Sequence, residues 1–444
     1  MKTLITLLGL FLSLTASSNA SPTVEFPSSF KWCVATAAHQ IEGGNTNSDW
    51  WDWEQIPGHV KNGERSGAAC GHWDRLEEDT RLLSGLHVRQ YRFSVEWAKV
   101  EPKQGRYDLD AIIHYNRELA LLRAAGIEPM ITLQHFTLPR WMREQGGWEW
   151  DGAPAAFAKY STFVLDNIGF GVRDWITINE PMVHLVLGYL GGVQPPGKKG
   201  DLASLKAPVI GLLKAHAAAY HAMKQRHPEI RIGLAHHLRV FDAIPGWNPL
   251  NGVLAEKLDR AWNWAFAEAL ETGQLRYDIP LATEVNEFIE NIAHTQDFIG
   301  INYYTRDMVE MTLEAPGFKF SVPEGAETSD VGWEIYPEGF YRVLKAAAEH
   351  FPGKQILITE NGIADAKDTK RSKFIESHLE AMNRAMREGV PVEGYCYWSL
   401  MDNFEWSEGF TPRFGLYEMD YATLARKARP SAAHFSEIIL RNGF

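Results

Sequence analysis

The stretch Ile358-Thr359-Glu360-Asn361-Gly362 has an earlier counterpart in Thr177-Ile178-Asn179-Glu180-Pro181. Each runs out of a β-branched, apolar segment and reaches a glutamate. Turn-forming or helix-breaking residues follow at once, Asn361-Gly362 in one case and Pro181 in the other. The pattern predicts a strand that ends in a loop, with a carboxylate at the strand's carboxyl end. In a parallel α/β barrel those ends share one face, so both glutamates would meet there. Either glutamate alone reads equally as a loop residue or a helix cap. The pair is what points to a site.

Working outward from the two glutamates, strand-like runs fall at 31–38, 88–95, 128–135, 174–180, 230–237, 298–304, 355–360 and 392–399. Between them lie segments such as 74–86, 109–125 and 202–226, whose apolar residues recur at three- and four-residue spacing and so predict helices. Gly126, just past one of these, fits a helix C-terminal cap. This alternation, without internal repeats or low-complexity linkers, predicts a single (β/α)8 TIM barrel with elaborated βα loops. A doubly wound open sheet is the alternative, disfavoured by the count of runs and by the absence of a Gly-rich phosphate loop.

The carboxyl ends of these runs collect Gln40, Arg92, His135, Asn179 with Glu180, Asn302 with Tyr304, Glu360, Trp398, Glu405 and Trp406. Barrel interiors are apolar, so this set belongs to the rim of one face. Amides and carboxylates can satisfy several hydroxyl groups at once, and an indole can cover a sugar ring. Two facing carboxylates are what glycosidic bond hydrolysis needs. A polar rim also suits a non-sugar substrate, but nothing in the sequence suggests phosphate or metal chemistry.

Composition narrows the classes. The chain has 444 residues, 45% hydrophobic and 23% charged, which is an ordinary globular balance for one large barrel. A net charge of −12 argues against a nucleic-acid partner and leaves no basic stripe for anionic membranes. Sixteen Trp and 15 Tyr are more than a core of this size needs, although burial accounts for most of them. Lys2, an apolar run from Leu4 to Leu14 and Ser18-Asn19-Ala20 read as a cleaved leader over residues 1–20, which makes 21–444 the barrel. The expectation is an exported protein, periplasmic or secreted, without a membrane anchor. Three cysteines allow one bridge at most. Cys33 and Cys396 fall in neighbouring strands, where two buried free thiols are expected in preference to a bridge. Cys70 is expected to be buried and unreactive. His236 and His237 alternate to opposite faces of a strand, against a shared metal.

At this point the motifs resemble those of the family-1 glycoside hydrolases, the β-glucosidase family. TINEP at 177–181 and ITENG at 358–362 are similar to the family's acid/base and nucleophile motifs. HQIEG at 39–43, YRFSVEW at 91–97, GINYYT at 300–305 and YWSLMDNFEWSEGF at 397–410 match in type and order. RFGLYEMDY at 413–421 and RPSAAHF at 429–435 carry the match almost to the C-terminus. The resemblance implies a retaining β-glycosidase, a β-glucosidase first of all, acting on a β-glycoside without cofactor or metal. It implies Glu180 as general acid/base and Glu360 as nucleophile, with Arg92 and Tyr304 beside Glu360 and Asn302 nearby. Gln40, His135, Asn179, Glu405 and Trp406 would bind the sugar hydroxyls over a floor made by Trp398. Arg92 and Tyr304 are expected to hold the pKa of Glu360 down, and an anionic Glu360 to raise that of Glu180.

Two departures from the family pattern stand out. Phe136 occupies a position where the family usually has Trp, and Gly71 one where aspartate is common. The family's thioglucosidases replace the acid with glutamine and its phosphoglycosidases lose the glutamate at 405, whereas Glu180 and Glu405 are both present. Transglycosylation would use the same residues, and a sugar-binding relative would have lost a glutamate. Aglycone contacts are expected from loops 182–200, 238–257 and 306–335.

Overall fold

A computed structural model describes residues 24–246, 248–279, 283–314 and 317–444. The expected leader at 1–20 lies outside them. Eight strands close into a barrel: β1 (Lys31–Ala35), β2 (Gln90–Ser94), β3 (Glu128–Gln134), β4 (Asp174–Asn179), β5 (Arg231–His237), β6 (Phe298–Tyr303), β7 (Gln355–Asn361) and β8 (Val392–Trp398). Each is parallel to its neighbours, and β8 pairs with β1 to complete the ring. Every expected run falls on one of these strands. The first is shorter than expected because the chain turns into a helix at Ala38–Ile41.

Helices return the chain outside the barrel, among them Leu76–Gly85, Leu109–Ala124, Lys206–Arg226, Pro337–His350 and Arg371–Arg387. Asp108 fixes the start of Leu109–Ala124 by accepting hydrogen bonds from the N–H groups of Asp110 and Ala111 at 2.8 and 3.3 Å. Gly126 ends it in the left-handed conformation, φ 72°. The segment expected as one helix over 202–226 is a 3-10 turn, Leu202–Leu205, followed by the α-helix Lys206–Arg226. Pro208 explains the break, because a proline without N–H is tolerated only in the first turn of a helix. The connections between barrel strands carry small sheets that the sequence pattern did not reveal. One joins Val240–Ala243, Arg306–Met311 and Phe318–Ser321, and another pairs Gln274–Ile279 with Thr283–Phe288.

The barrel interior is layered. Met130, Ile176, Ala235, Phe298 and Leu357 form an apolar cluster from five successive strands. At the amino ends of the strands lies an ionic floor. Asp174 accepts from Lys31 Nζ at 2.9 Å, Gln90 Nε2 at 3.2 Å and Arg231 Nε at 2.8 Å, while Arg231 also pairs with Glu393. Burial works to raise the pKa of Asp174, but the two cations outweigh it and hold the carboxyl below its usual range.

Cys33 and Cys396 correct the sequence expectation of free thiols: they form a disulfide. The parallel register of β1 and β8 sets the two residues opposite one another, with Cα atoms 4.1 Å apart. The bond therefore spans the seam where the first and last strands meet. Cys70 is free and buried, and burial pushes its pKa well up, as expected of an unreactive thiol.

Two outcomes follow from this architecture. Unfolded without reductant, the protein should titrate one thiol with a chromogenic disulfide reagent, and three after reduction. Asp174→Ala should lose about 1.5–3 kcal/mol in urea unfolding, because it removes the buried carboxylate shared by Lys31 and Arg231 and leaves them only Glu128 and Glu393 as partners.

Candidate active site

The two glutamates leave their strands through irregularities. The β4–β5 register shifts between Ile176 and Asn179, and β7 slips against both neighbours beyond Ile358. Such bulges re-aim side chains, and here they let adjacent residues face the same cavity. Glu180 itself is left-handed, φ 44°, an uncommon state for a residue with a side chain. Gly362 closes the second stretch, where any Cβ would collide with the backbone carbonyl of Trp398. Both carboxyl groups are buried, Glu180 at 7% and Glu360 at 4% exposure.

Arg92, wholly buried on β2, ties the strand ends together. Its Nη1 donates to Glu360 Oε1 at 2.6 Å and to the Thr359 carbonyl at 2.9 Å. Its Nη2 donates to Asn179 Oδ1 at 2.6 Å and its Nε to Thr132 Oγ1 at 3.2 Å. Tyr304 donates its hydroxyl to Glu360 Oε2 at 2.6 Å. Asn302 stands beside the glutamates: its Nδ2 donates to Glu180 Oε1 at 2.7 Å and to Asn179 Oδ1 at 3.2 Å. Thr359 fixes the Asn302 amide by donating to its Oδ1 at 2.6 Å.

Electrostatics separate the two acids. Burial pushes the pKa of Glu180 up to about 8, with the neighbouring charge of Glu360 as the next contribution. Burial also raises Glu360, which corrects the expectation of a depressed pKa, since desolvation exceeds what Arg92 and Tyr304 supply. Those two partners nonetheless act directly on Glu360, whereas Glu180 receives a single neutral amide donor. Glu360 is accordingly the group that ionises first.

Around the pair, the sugar-type residues assemble as expected. Asn179 Oδ1 is committed to Arg92 and Asn302, so its Nδ2 donates to His135 Nε2 at 3.1 Å. That contact assigns the imidazole proton to Nδ1. Burial and the charge of Arg92 hold the His135 pKa well down, so the ring is neutral. Its Nδ1 has no partner among the described residues, and neither does Gln40 Oε1. Gln40 is oriented by donating to Asn403 Oδ1 and the Phe404 carbonyl at 2.8 and 2.9 Å. Trp398 Nε1 donates to Glu405 Oε1 at 3.3 Å, and the Trp398 ring stacks on His135 at 5.8 Å. Burial raises the Glu405 pKa to about 8. Trp406, also left-handed, stacks on His39 and takes the edge of Phe136 at 5.1 Å.

All eleven residues singled out in the sequence belong to this assembly, and nine line a cavity of about 1320 Å³; Arg92 and Asn302 support its wall from behind. Other wall residues escaped the sequence reading. Arg239 and Trp333 sit in loops expected to hold aglycone contacts, while Trp53, His59 and Trp262 come from elsewhere. Nothing in their local sequence marks them: Trp53 and Trp262 stand on short helical segments and the others on irregular backbone, and only the fold brings them to the mouth. His237 faces this cavity, whereas His236 points away to Gln296 at 2.8 Å, as alternation along β5 requires. Tyr303 likewise turns outward, donating to the Tyr336 carbonyl at 2.7 Å. Among the described residues, no group of three or more His, Cys, Asp and Glu could hold a metal ion. None of their helices is long and apolar enough to cross a membrane.

Comparison with known proteins agrees with this geometry. β-Glucosidase A of Thermotoga maritima is 34% identical over 446 residues, covering 94% of this chain and 98% of that protein. A β-galactosidase of Pyrococcus woesei is 30% identical, covering 94% and 98%. The fold superposes on the Thermotoga maritima β-glucosidase in complex with glucoimidazole with a TM-score of 0.88 at 32% identity, over 95% of this chain and 99% of that one. Residues 23–444 match the model for glycosyl hydrolase family 1. With nearly the whole chain covered, this protein belongs to glycosyl hydrolase family 1 and is a glycosidase.

Proposed function

We propose that the chain is a retaining β-glucosidase that releases terminal, non-reducing β-D-glucosyl residues through a covalent glycosyl-enzyme. One observation carries this reading: two buried carboxyl groups at the ends of β4 and β7 have unequal partners, a cation and a phenol on Glu360 and an amide on Glu180. Glu360 attacks the anomeric carbon as its carboxylate while the bond to the leaving oxygen breaks. Glu180, protonated, gives its proton to that oxygen. Esterification removes the charge of Glu360, which is the second-largest influence raising the Glu180 pKa. Glu180 then becomes the stronger acid and, as a carboxylate, takes a proton from the water that cleaves the ester. Asn179, held by Arg92, is placed for the sugar 2-hydroxyl, a contact that strengthens in the transition state.

Glucose is favoured because the names of the similar proteins are chiefly those of β-glucosidases. Tolerance for galactose is supported by the similar β-galactosidase and by the Thermotoga enzyme's complex with galacto-hydroximolactam. Export by the leader at 1–20 belongs to the same reading, and a disulfide suits an oxidising compartment. Sequencing the N-terminus of the secreted protein tests it: a mature chain that still begins at Met1 would rule the leader out.

Hydrolysis of nitrophenyl β-D-glucoside followed by proton NMR should show β-glucose first; α-glucose first would overturn the role of Glu360. Glu360→Ala should abolish turnover of every glycoside. Glu180→Ala should cost about 10²–10⁴-fold on alkyl glucosides and far less on activated aryl ones, which need little protonation. Because Glu180 must carry a proton to act as acid, kcat/KM should fall as pH rises through about 8. In Glu360→Gln, with the neighbouring charge gone, the carbon-13 resonance of the Glu180 carboxyl should titrate at lower pH.

A further inference from the structure

Beside the catalytic cavity lies a second one of about 400 Å³, within the range of roughly 300–1,000 Å³ typical of small-molecule pockets. Segments following β1, β3 and β4 wall it, and Pro196 borders both cavities. His184, on the short helix Pro181–Leu185 directly after Glu180, lines it. The imidazole is only 2% exposed, yet neither ring nitrogen has a partner among the described residues. Buried polar atoms are nearly always matched, so this ring is left for something that enters the cavity. Asp49 adds a second group. Its Oδ1 accepts from the N–H groups of Trp50 and Leu138, both at 2.8 Å, and no donor among the described residues meets its other oxygen. Trp150 brings an indole to the same wall.

Charge narrows the class of ligand. Lys198 is already paired with Glu149, and Arg143 with Asp52 and Glu144. Burial lowers the His184 pKa to about 4, which keeps the imidazole neutral, and raises that of Asp49 to about 7, which leaves the carboxyl able to accept or, once protonated, to donate near neutral pH. The remaining groups are one imidazole, one carboxyl and an aromatic face, a set suited to hydroxyls on an apolar ring.

We propose that this cavity is a second carbohydrate site, holding a neutral monosaccharide against His184, Asp49 and Trp150. It adjoins the machinery of the first. The His184 N–H donates to the Glu180 carbonyl at 3.2 Å. The His184 ring also lies nearly parallel to Phe136, which packs against His135 and Trp406. A sugar bound here would therefore be felt at the catalytic wall. Choosing D-glucose as the probe rests on the glucosidase reading, but detecting its binding requires no turnover.

The test uses the full chain with labelled histidine, the His184 imidazole signals being assigned by His184→Gln. D-Glucose should move them saturably, and should still do so in Glu405→Ala, where the catalytic sugar site is disabled; Gln40→Leu serves if that variant does not fold. Asp49→Asn should weaken the effect about 2–10-fold, the value of one hydrogen bond. With nitrophenyl β-D-glucoside, D-glucose should lower kcat as well as raise KM in the wild type, and act competitively alone in His184→Leu. No movement with D-glucose or D-galactose would mean that the cavity holds water only and would overturn the proposal. Movement that disappears in both Glu405→Ala and Gln40→Leu, or that inorganic phosphate reproduces, would overturn it as well. If the glucosidase reading fails instead, turnover is absent while the His184 signals still respond.

Discussion

One buried guanidinium organises the rim of this barrel. Arg92 stands on β2 and reaches β3 through Thr132, β4 through Asn179 and β7 through Thr359 and Glu360. A cation taken wholly out of water is tolerated only when its charge and its donors are both met. That requirement fixes the relative height of strands that are distant in sequence. It also explains why the site lies at their carboxyl ends, where backbone carbonyls and side chains converge on one point. From Arg92 the order passes outward: Asn179 is oriented by it, His135 by Asn179, and Trp398 stacks on His135. The cavity-lining groups His135 and Trp398 are thus the far end of a chain that begins with an ion pair.

Much of this was legible in the sequence because it is written locally. Strand-like apolar runs placed the eight strands, and turn residues after Glu180 and Glu360 placed both carboxylates. What was not legible depends on how distant segments are set against each other. The disulfide needed the β1–β8 register, which alone puts Cys33 opposite Cys396. The pKa of Glu360 needed the balance between desolvation and Arg92, and residue type gives only one side of it. Arg239 and Trp333 reach the cavity from irregular backbone, and Trp53 and Trp262 from short helical segments outside the barrel's repeating pattern.

Backbone conformation was equally hidden. Glu180, Phe136 and Trp406 all take positive φ, at 44°, 70° and 53°. None is glycine or asparagine, the residues that occupy this region readily, so each costs conformational energy of order 1–3 kcal/mol. Their grouping around one cavity is the mark of structure spent on placing side chains. Phe136 illustrates the gain: its left-handed turn sets a ring among His135, Trp406 and His184, which packs the wall of the catalytic cavity against the helix that follows Glu180.

The two ends of the barrel give a criterion for separating structural from functional polarity. At the amino end, Asp174 meets two cations and a glutamine amide, and Arg231 carries a second carboxylate on Glu393. One guanidinium nitrogen of Arg231 is the only buried side-chain polar atom there without a partner among the described residues. At the carboxyl end, His135 Nδ1, Gln40 Oε1 and His237 Nδ1 are left unmatched around a single cavity. A fold at equilibrium does not bury unmatched groups together without a return, since each forfeits its hydrogen bonds to water. A polar ligand in the cavity is the return that the proposed function assigns to them. Charge density therefore does not distinguish the working face from the floor, for both are rich in ionisable groups. The distinguishing quantity is how many of those groups the protein leaves unsatisfied by itself.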